Sequence, residues 1–124
     1  MLVNLTNHPV STWNKSQLEA AAEQFGMAVD WPFPSIPPES DENTVYQMAV
    51  SVVNEVISTY GYNITVHIMG EQTFCCYAIK EFDTRGIKCV ASTTSRNVYL
   101  NENGDKLTHF DFVRFRYYNE YTSR

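Results

Sequence analysis

The chain has 124 residues, 44% hydrophobic and 19% charged, enough to bury one sizeable core and no more than an ordinary single domain needs. A formal net charge of −5 and the lack of any Lys/Arg stripe argue against duplex nucleic acid, whose binding needs a basic face to release counterions. No apolar run approaches the roughly 18 residues of a membrane helix, and Met1–Leu5 lacks the basic start and long apolar stretch of a secretory signal, so a cytoplasmic protein is expected.

Met1 to Thr6 reads as a short apolar strand, followed by the turn Asn7-His8-Pro9. A helix is predicted over Lys15 to Phe25, because Leu18, Ala21, Ala22 and Phe25 recur at the spacing of one buried face. Asn14 caps it, Gln17 is positioned as the reciprocal partner of a capping box, and Gly26 ends it. Met27 to Asp30 is a brief second strand. Residues 31–38 hold four of the five prolines and read as an ordered, extended loop.

Ser40, Asp41 and Glu42 place a cap and negative charge at the start of a second helix. Its apolar stripe, Val45, Met48, Ala49, Val52, Val53 and Val56, runs to about Thr59, and Gly61 stops it. Asn63 to Met69 is a third strand, apolar enough for a central position. A third helix from about Thr73 to Thr84 buries Phe74, Tyr77, Ala78 and Phe82, and a fourth strand covers Ile87 to Thr93.

Beyond Arg96, residues 97–101 and 106–118 flank Glu102-Asn103-Gly104-Asp105, a strong hairpin signal. Phe110 and Phe112 share one parity, whereas Val113, Phe115 and Tyr117 share the other, so a β-bulge is expected near Phe112. The order βαβαβαβ plus a hairpin predicts an α/β fold: a mostly parallel sheet with helices on both faces, joined by right-handed crossovers. Residues 1–118 form one domain, and 119–124 read as a short loose tail.

In such a sheet, ligands bind beyond the carboxyl ends of the strands. Four polar clusters should gather there: Asn7 to Pro9, Asp30 to Pro34, Met69 to Thr73, and Ser92 to Arg96. A compact anionic or nucleotide-like ligand is therefore expected. His8 suits acid–base work near neutral pH or donation to a phosphate, against a plain role in the loop backbone. Gly70 permits close backbone approach, and Glu71, Gln72 and Thr73 open a helix whose amides can hold an anion. Glu71 opposes phosphate unless it faces a hydroxyl, amine or metal, and interaction with the helix dipole explains it nearly as well.

Ser92, Thr93, Thr94, Ser95 and Arg96 offer four hydroxyls and a planar, permanently charged fork suited to phosphate, read as a turn before the hairpin. Phe33, Trp31 and Trp13 lie on or beside strand-end loops, where an aromatic stacks a base or anchors the loop. His67, inside the third strand, reads as a satisfied buried imidazole, and His109 carries no specific signal. Arg114 and Arg116 share one side of the last strand, near Asp111. Cys75, Cys76 and Cys89 are read as buried reduced thiols, because neither their spacing nor that of the three His fits zinc. No metal or cofactor is expected. No Ser-His-Asp or Cys-His set is apparent from spacing alone.

Asn4-Leu5-Thr6-Asn7-His8-Pro9, with Trp13 and Gln17 following, resembles the opening of small stand-alone CRISPR-associated accessory proteins. Fainter similarity continues at Pro32-Phe33-Pro34, Gly70-Glu71 and Ser95-Arg96. The resemblance implies a Rossmann-like fold related to the CARF sensor domains for cyclic oligoadenylate, the second messenger of type III CRISPR antiviral defence. It further implies a homodimer holding the ring, of which cyclic tetra-adenylate is one example, across its twofold axis. Some relatives cleave the ring as metal-independent ring nucleases, by attack of a ribose 2′-hydroxyl on the adjacent phosphate, and others only sequester it.

By position, Thr6, Asn7 and His8 would contact the ligand and Ser92 to Arg96 would cradle a phosphate. His8 is then the candidate acid/base and Arg96 the group stabilising phosphate charge. The competing expectation is a non-enzymatic interaction or dimerisation module without a nucleotide ligand. Its surface would be the aromatic-rich end: Phe110, Phe112, Phe115, Tyr117, Tyr118 and Tyr121.

Overall fold

The computed structural model describes residues 1–119. Five strands, β1 (Leu2–Thr6), β2 (Ala28–Pro32), β3 (Thr65–Ile68), β4 (Lys88–Leu100) and β5 (Lys106–Tyr117), form one sheet in the order β2-β1-β3-β4-β5. All neighbours run parallel except β4 and β5, which form an antiparallel hairpin. The helices are α1 (Lys15–Phe25), α2 (Glu42–Tyr60) and α3 (Gln72–Thr84), preceded by a single 3-10 turn at Val10–Thr12. None is long and apolar enough to cross a membrane.

Strand alternation divides the core in two. Val3 and Leu5 of β1, Val66 and Ile68 of β3 and Cys89 of β4 face α2 and α3. Leu2, Val90 and Phe115 face the other way, against Trp13 and Ala21 of the α1 side. The helices therefore cover both faces. Local chemistry fixes their ends: Asn14 Oδ1 accepts from the Gln17 amide, Asp41 Oδ1 from the Thr44 amide, and Gly26 and Gly61 follow α1 and α2 at φ 82° and 79°.

Three expectations need correction. Leu18 and Ala22 are exposed, because α1 turns Ala21 and half-buried Gln17, Ala20 and Phe25 toward the sheet instead. Cys76 is exposed on α3, whereas Cys75 and Cys89 are buried, and burial pushes their thiols up to about 11 and 12. Ser92 to Arg96 is no turn. Strand β4 continues through it to Leu100, since every residue from Val90 finds a partner on β5.

The expected bulge is present. The register shifts between Thr93 and Thr94, which pair with Arg114 and Phe112 and leave Val113 over. That extra residue returns Phe110, Phe112 and Phe115 to one face. At the far end Asn101 Oδ1 accepts from the Asn103 and Asp105 amides around Gly104.

Asn119, where the tail was expected to start, is tied down: it accepts from the Cys89 amide and donates to Asp83. The rest of that segment, with Tyr121, lies outside the described residues.

Candidate functional site

Parallel register lays a polar row across three strands. Asn4 of β1 stands beside Asp30 of β2 and beside His67 of β3. His67 is level with Val90 of β4, and Ser92 lies two residues farther along on the same face. Each is a polar interruption at the α1-side parity of its strand. Asn4 and His67 are only 1% and 2% exposed, so each of their side-chain polar atoms requires a partner.

The partners form a chain. Asn4 Nδ2 donates to the His8 carbonyl at 2.8 Å and to Asp30 Oδ1 at 2.9 Å. Those two acceptors fix the orientation of the Asn4 amide, so Oδ1 points at Thr6 Oγ1, 3.0 Å away, and at His67 Nδ1, 2.8 Å away. An amide oxygen can only accept, and Nδ1 therefore carries the imidazole proton. Nε2 is left with a lone pair, and Ser92 Oγ lies 3.1 Å from it. Trp13 and Phe115 set their rings edge-on to the imidazole at centroid distances of 5.4 and 5.5 Å. Among the described residues no buried side-chain polar atom lacks a partner.

Desolvation, and secondarily the charge of nearby His8, push the His67 pKa down from 6.5 to about 4. A group depressed in the folded state is neutral there while the unfolded chain takes up a proton below pH 6.5. Stability is thus full above that pH and is lost as pH falls toward 4. Acidification from about pH 7 to 4.5 should cost on the order of 2 kcal/mol through this one group. Denaturant titrations of the wild type and of His67→Gln check the cost. An NMR titration of the His67 ring with its midpoint near 4 checks the cause.

Over this row opens a cleft of about 510 Å³ at the carboxyl ends of β1 and β3 and against the middle of β4. It brings together expected residues from three segments: Thr6, Asn7 and His8, then Gly70, then Ser92 and Thr94. Trp13, Asn14, Gln17, His67, Met69 and Phe110 complete most of the wall. The side chains of Asn7 and Gln17 make no hydrogen bond with any described residue, and Gln17 therefore does not close the capping box. His8 contributes its imidazole to the wall. Its carbonyl anchors the turn, accepting from Asn4 and from Trp13 Nε1.

The remaining candidates lie elsewhere. Thr93 donates to the Arg114 carbonyl, and Thr93 and Ser95 alternate away from Ser92 and Thr94 along β4. Arg96 is exposed on the hairpin opposite Phe110, outside the lining, and no Lys or Arg is part of the wall. Phe33 packs edge-on against Phe74 at 5.1 Å on the α2–α3 side. A Cβ on Gly70 would sit 2.4 Å from the Phe33 ring, so packing accounts for this glycine without any ligand.

Glu71 caps α3: the Phe74 and Thr73 amides donate to it and hold its carboxyl below the ordinary range. Gln72 lines a separate cavity with Cys75 and Tyr118, and Thr73 lines a third with Pro37 and Asp41. The described residues contain no group of three or more His, Cys, Asp or Glu arranged to hold a metal.

Sequence reasoning named Asn4 only in the family resemblance, without a place in the site, and saw in His67 only its satisfied state. The available signal was parity: Asn4, Asp30 and His67 each break an apolar strand on the same side. A family profile, that of the Uncharacterized protein MJ1673 family, matches residues 1–116. No curated protein and no solved structure matches the chain significantly.

Proposed function

The chain belongs to the Uncharacterized protein MJ1673 family, and we propose that it binds a compact nucleotide-like ligand, of the cyclic oligoadenylate class, in the cleft at the carboxyl edge of its sheet. The observation that carries this reading is the convergence of Thr6, Asn7, His8, Ser92 and Thr94 on one cleft beside the aromatic rings of Trp13 and Phe110. Hydroxyls and side-chain amides supply neutral donors for phosphate and sugar oxygens, and the rings supply faces and edges for a base. The resemblance of Asn4 to Pro9 to CRISPR-associated accessory proteins selects the ligand class. A cleft of about 510 Å³ takes part of such a ring. A cytoplasmic homodimer that supplies the remainder belongs to the proposal.

Melting with and without cyclic tetra-adenylate tests it. Saturation at about 100 times Kd should stabilise the fold by about 2.7 kcal/mol. No shift with a panel of cyclic nucleotides at high micromolar concentration would remove the reading.

A second reading, a protein-interaction module, is favoured by one observation: Val98, Leu100 and Phe110 are 52%, 70% and 64% exposed on the outer hairpin. Concentration-dependent association with no response to nucleotide would support it.

A further inference from the structure

A serine hydroxyl is a poor nucleophile unless a base takes its proton, and a base serves only if its lone pair is aimed at that oxygen. Both conditions meet under the cleft. The Asn4 amide, fixed by the His8 carbonyl and Asp30, puts the imidazole proton on Nδ1. The Nε2 lone pair then faces Ser92 Oγ at 3.1 Å. Met69 Sδ lies 3.3 Å from the same oxygen, but a thioether is a far weaker acceptor than an imidazole nitrogen. The Ser92 proton therefore points at His67. Ser92 lines the cleft, and the base behind it is buried.

We propose that Ser92, His67 and Asn4 act as nucleophile, base and orienting group for cleavage of a phosphodiester held in the cleft. The choice of phosphodiester rests on the ligand reading above; the activated serine does not.

Ser92 Oγ attacks phosphorus while His67 Nε2 takes the Oγ proton. The bond from phosphorus to one sugar oxygen breaks, and that oxygen leaves with the proton from Nε2. The result is a phosphodiester on Ser92. Water then attacks phosphorus, His67 accepts its proton, and Oγ leaves and recovers it. The product ends in a monophosphate. Attack by a ribose 2′-hydroxyl would instead leave a 2′,3′-cyclic phosphate. Thr94, Asn7 and Gln17 line the same cleft and would donate to the phosphoryl oxygens. Asn4 is a positioning residue, acting only through the imidazole.

A fluorophosphonate probe with peptide mass spectrometry tests the serine without any nucleotide. The folded wild type should gain one adduct, on Ser92, and the urea-unfolded chain none. Ser92→Ala should gain none. A folded His67→Gln should react at least about 100-fold more slowly. Asn4→Ala should shift the His67 proton from Nδ1 to Nε2 by nitrogen-15 NMR and slow labelling with it.

No adduct on the folded wild type, or one elsewhere with Ser92 untouched, overturns the proposal, whether or not the variants fold. Labelling that survives His67→Gln removes the base. A cyclic-phosphate product overturns the covalent route. Cyclic tetra-adenylate bound by Ser92→Ala, with the wild type unlabelled, sinks the triad and spares the ligand reading. Labelling without any cyclic nucleotide binding sinks the ligand class and spares the activated serine.

Discussion

Phe115→Ala is expected to destabilise the fold by about 3–5 kcal/mol, the range for removing a buried phenyl ring. Phe115 is 2% exposed, and its ring meets Phe112 at 5.0 Å, Phe25 and His67 at 5.5 Å and Trp13 at 6.1 Å. It holds α1, the hairpin and the imidazole together from the centre of the smaller core. Because it pairs with Ser92 across the hairpin, the vacancy would open directly under the cleft. Water entering there would resolvate His67 and raise its pKa from about 4 toward the ordinary 6.5. Urea unfolding gives the first effect and an NMR titration of His67 the second. Phe115→Leu, which keeps much of the volume, should recover most of both. A loss well under 1 kcal/mol for the alanine variant would mean that Phe115 is not the hub of this core.

Asn4→Ala should cost about 3 kcal/mol, since it strands the buried His67 Nδ1–H and removes three further hydrogen bonds at once. His67 Nδ1–H loses its acceptor, Asp30 keeps only the Val10 amide, and the His8 carbonyl loses its shortest donor. The Asn7-His8-Pro9 turn is pinned through two of those bonds, so hydrogen exchange should rise there and in Val10–Thr12 before it rises in α2. The denaturation midpoint and amide protection measure the two parts separately. An unchanged midpoint would show that water or a neighbour replaces the Asn4 amide at no cost.

The parts of the fold legible in the sequence were those decided by neighbours in the chain. The spans of α1 and α2 follow from Asn14, Asp41 and two glycines, and the hairpin from Asn103-Gly104. Parity alone exposed the bulge at Val113. What was misread depended on residues far along the chain. Ser92 to Ser95 looks like a turn until β5 provides partners for it, after which its β-branched threonines suit a strand. The face of α1 was set by where Trp13 and Phe115 lie.

The candidate site divides the same way. The edge location followed from topology, and Thr6 to His8, Gly70, Ser92 and Thr94 do converge. Gly70 and Glu71, however, owe their places to the Phe33 ring and to the α3 cap. The Asn4–His67 and His67–Ser92 contacts span 63 and 25 residues, and no local pattern encodes such pairs.

During assembly, a strand that slid past its neighbour by a single position would swing Asn4 or His67 round into the aliphatic layer beneath α2 and α3. There neither would find a mate, at a penalty comparable to a sizeable fraction of a small domain's whole stability. The stripe of amide, carboxylate and imidazole is in this sense a combination lock. It opens only for the arrangement in which β2, β1 and β3 lie side by side in step, so the groups suited to chemistry also reject misaligned sheets.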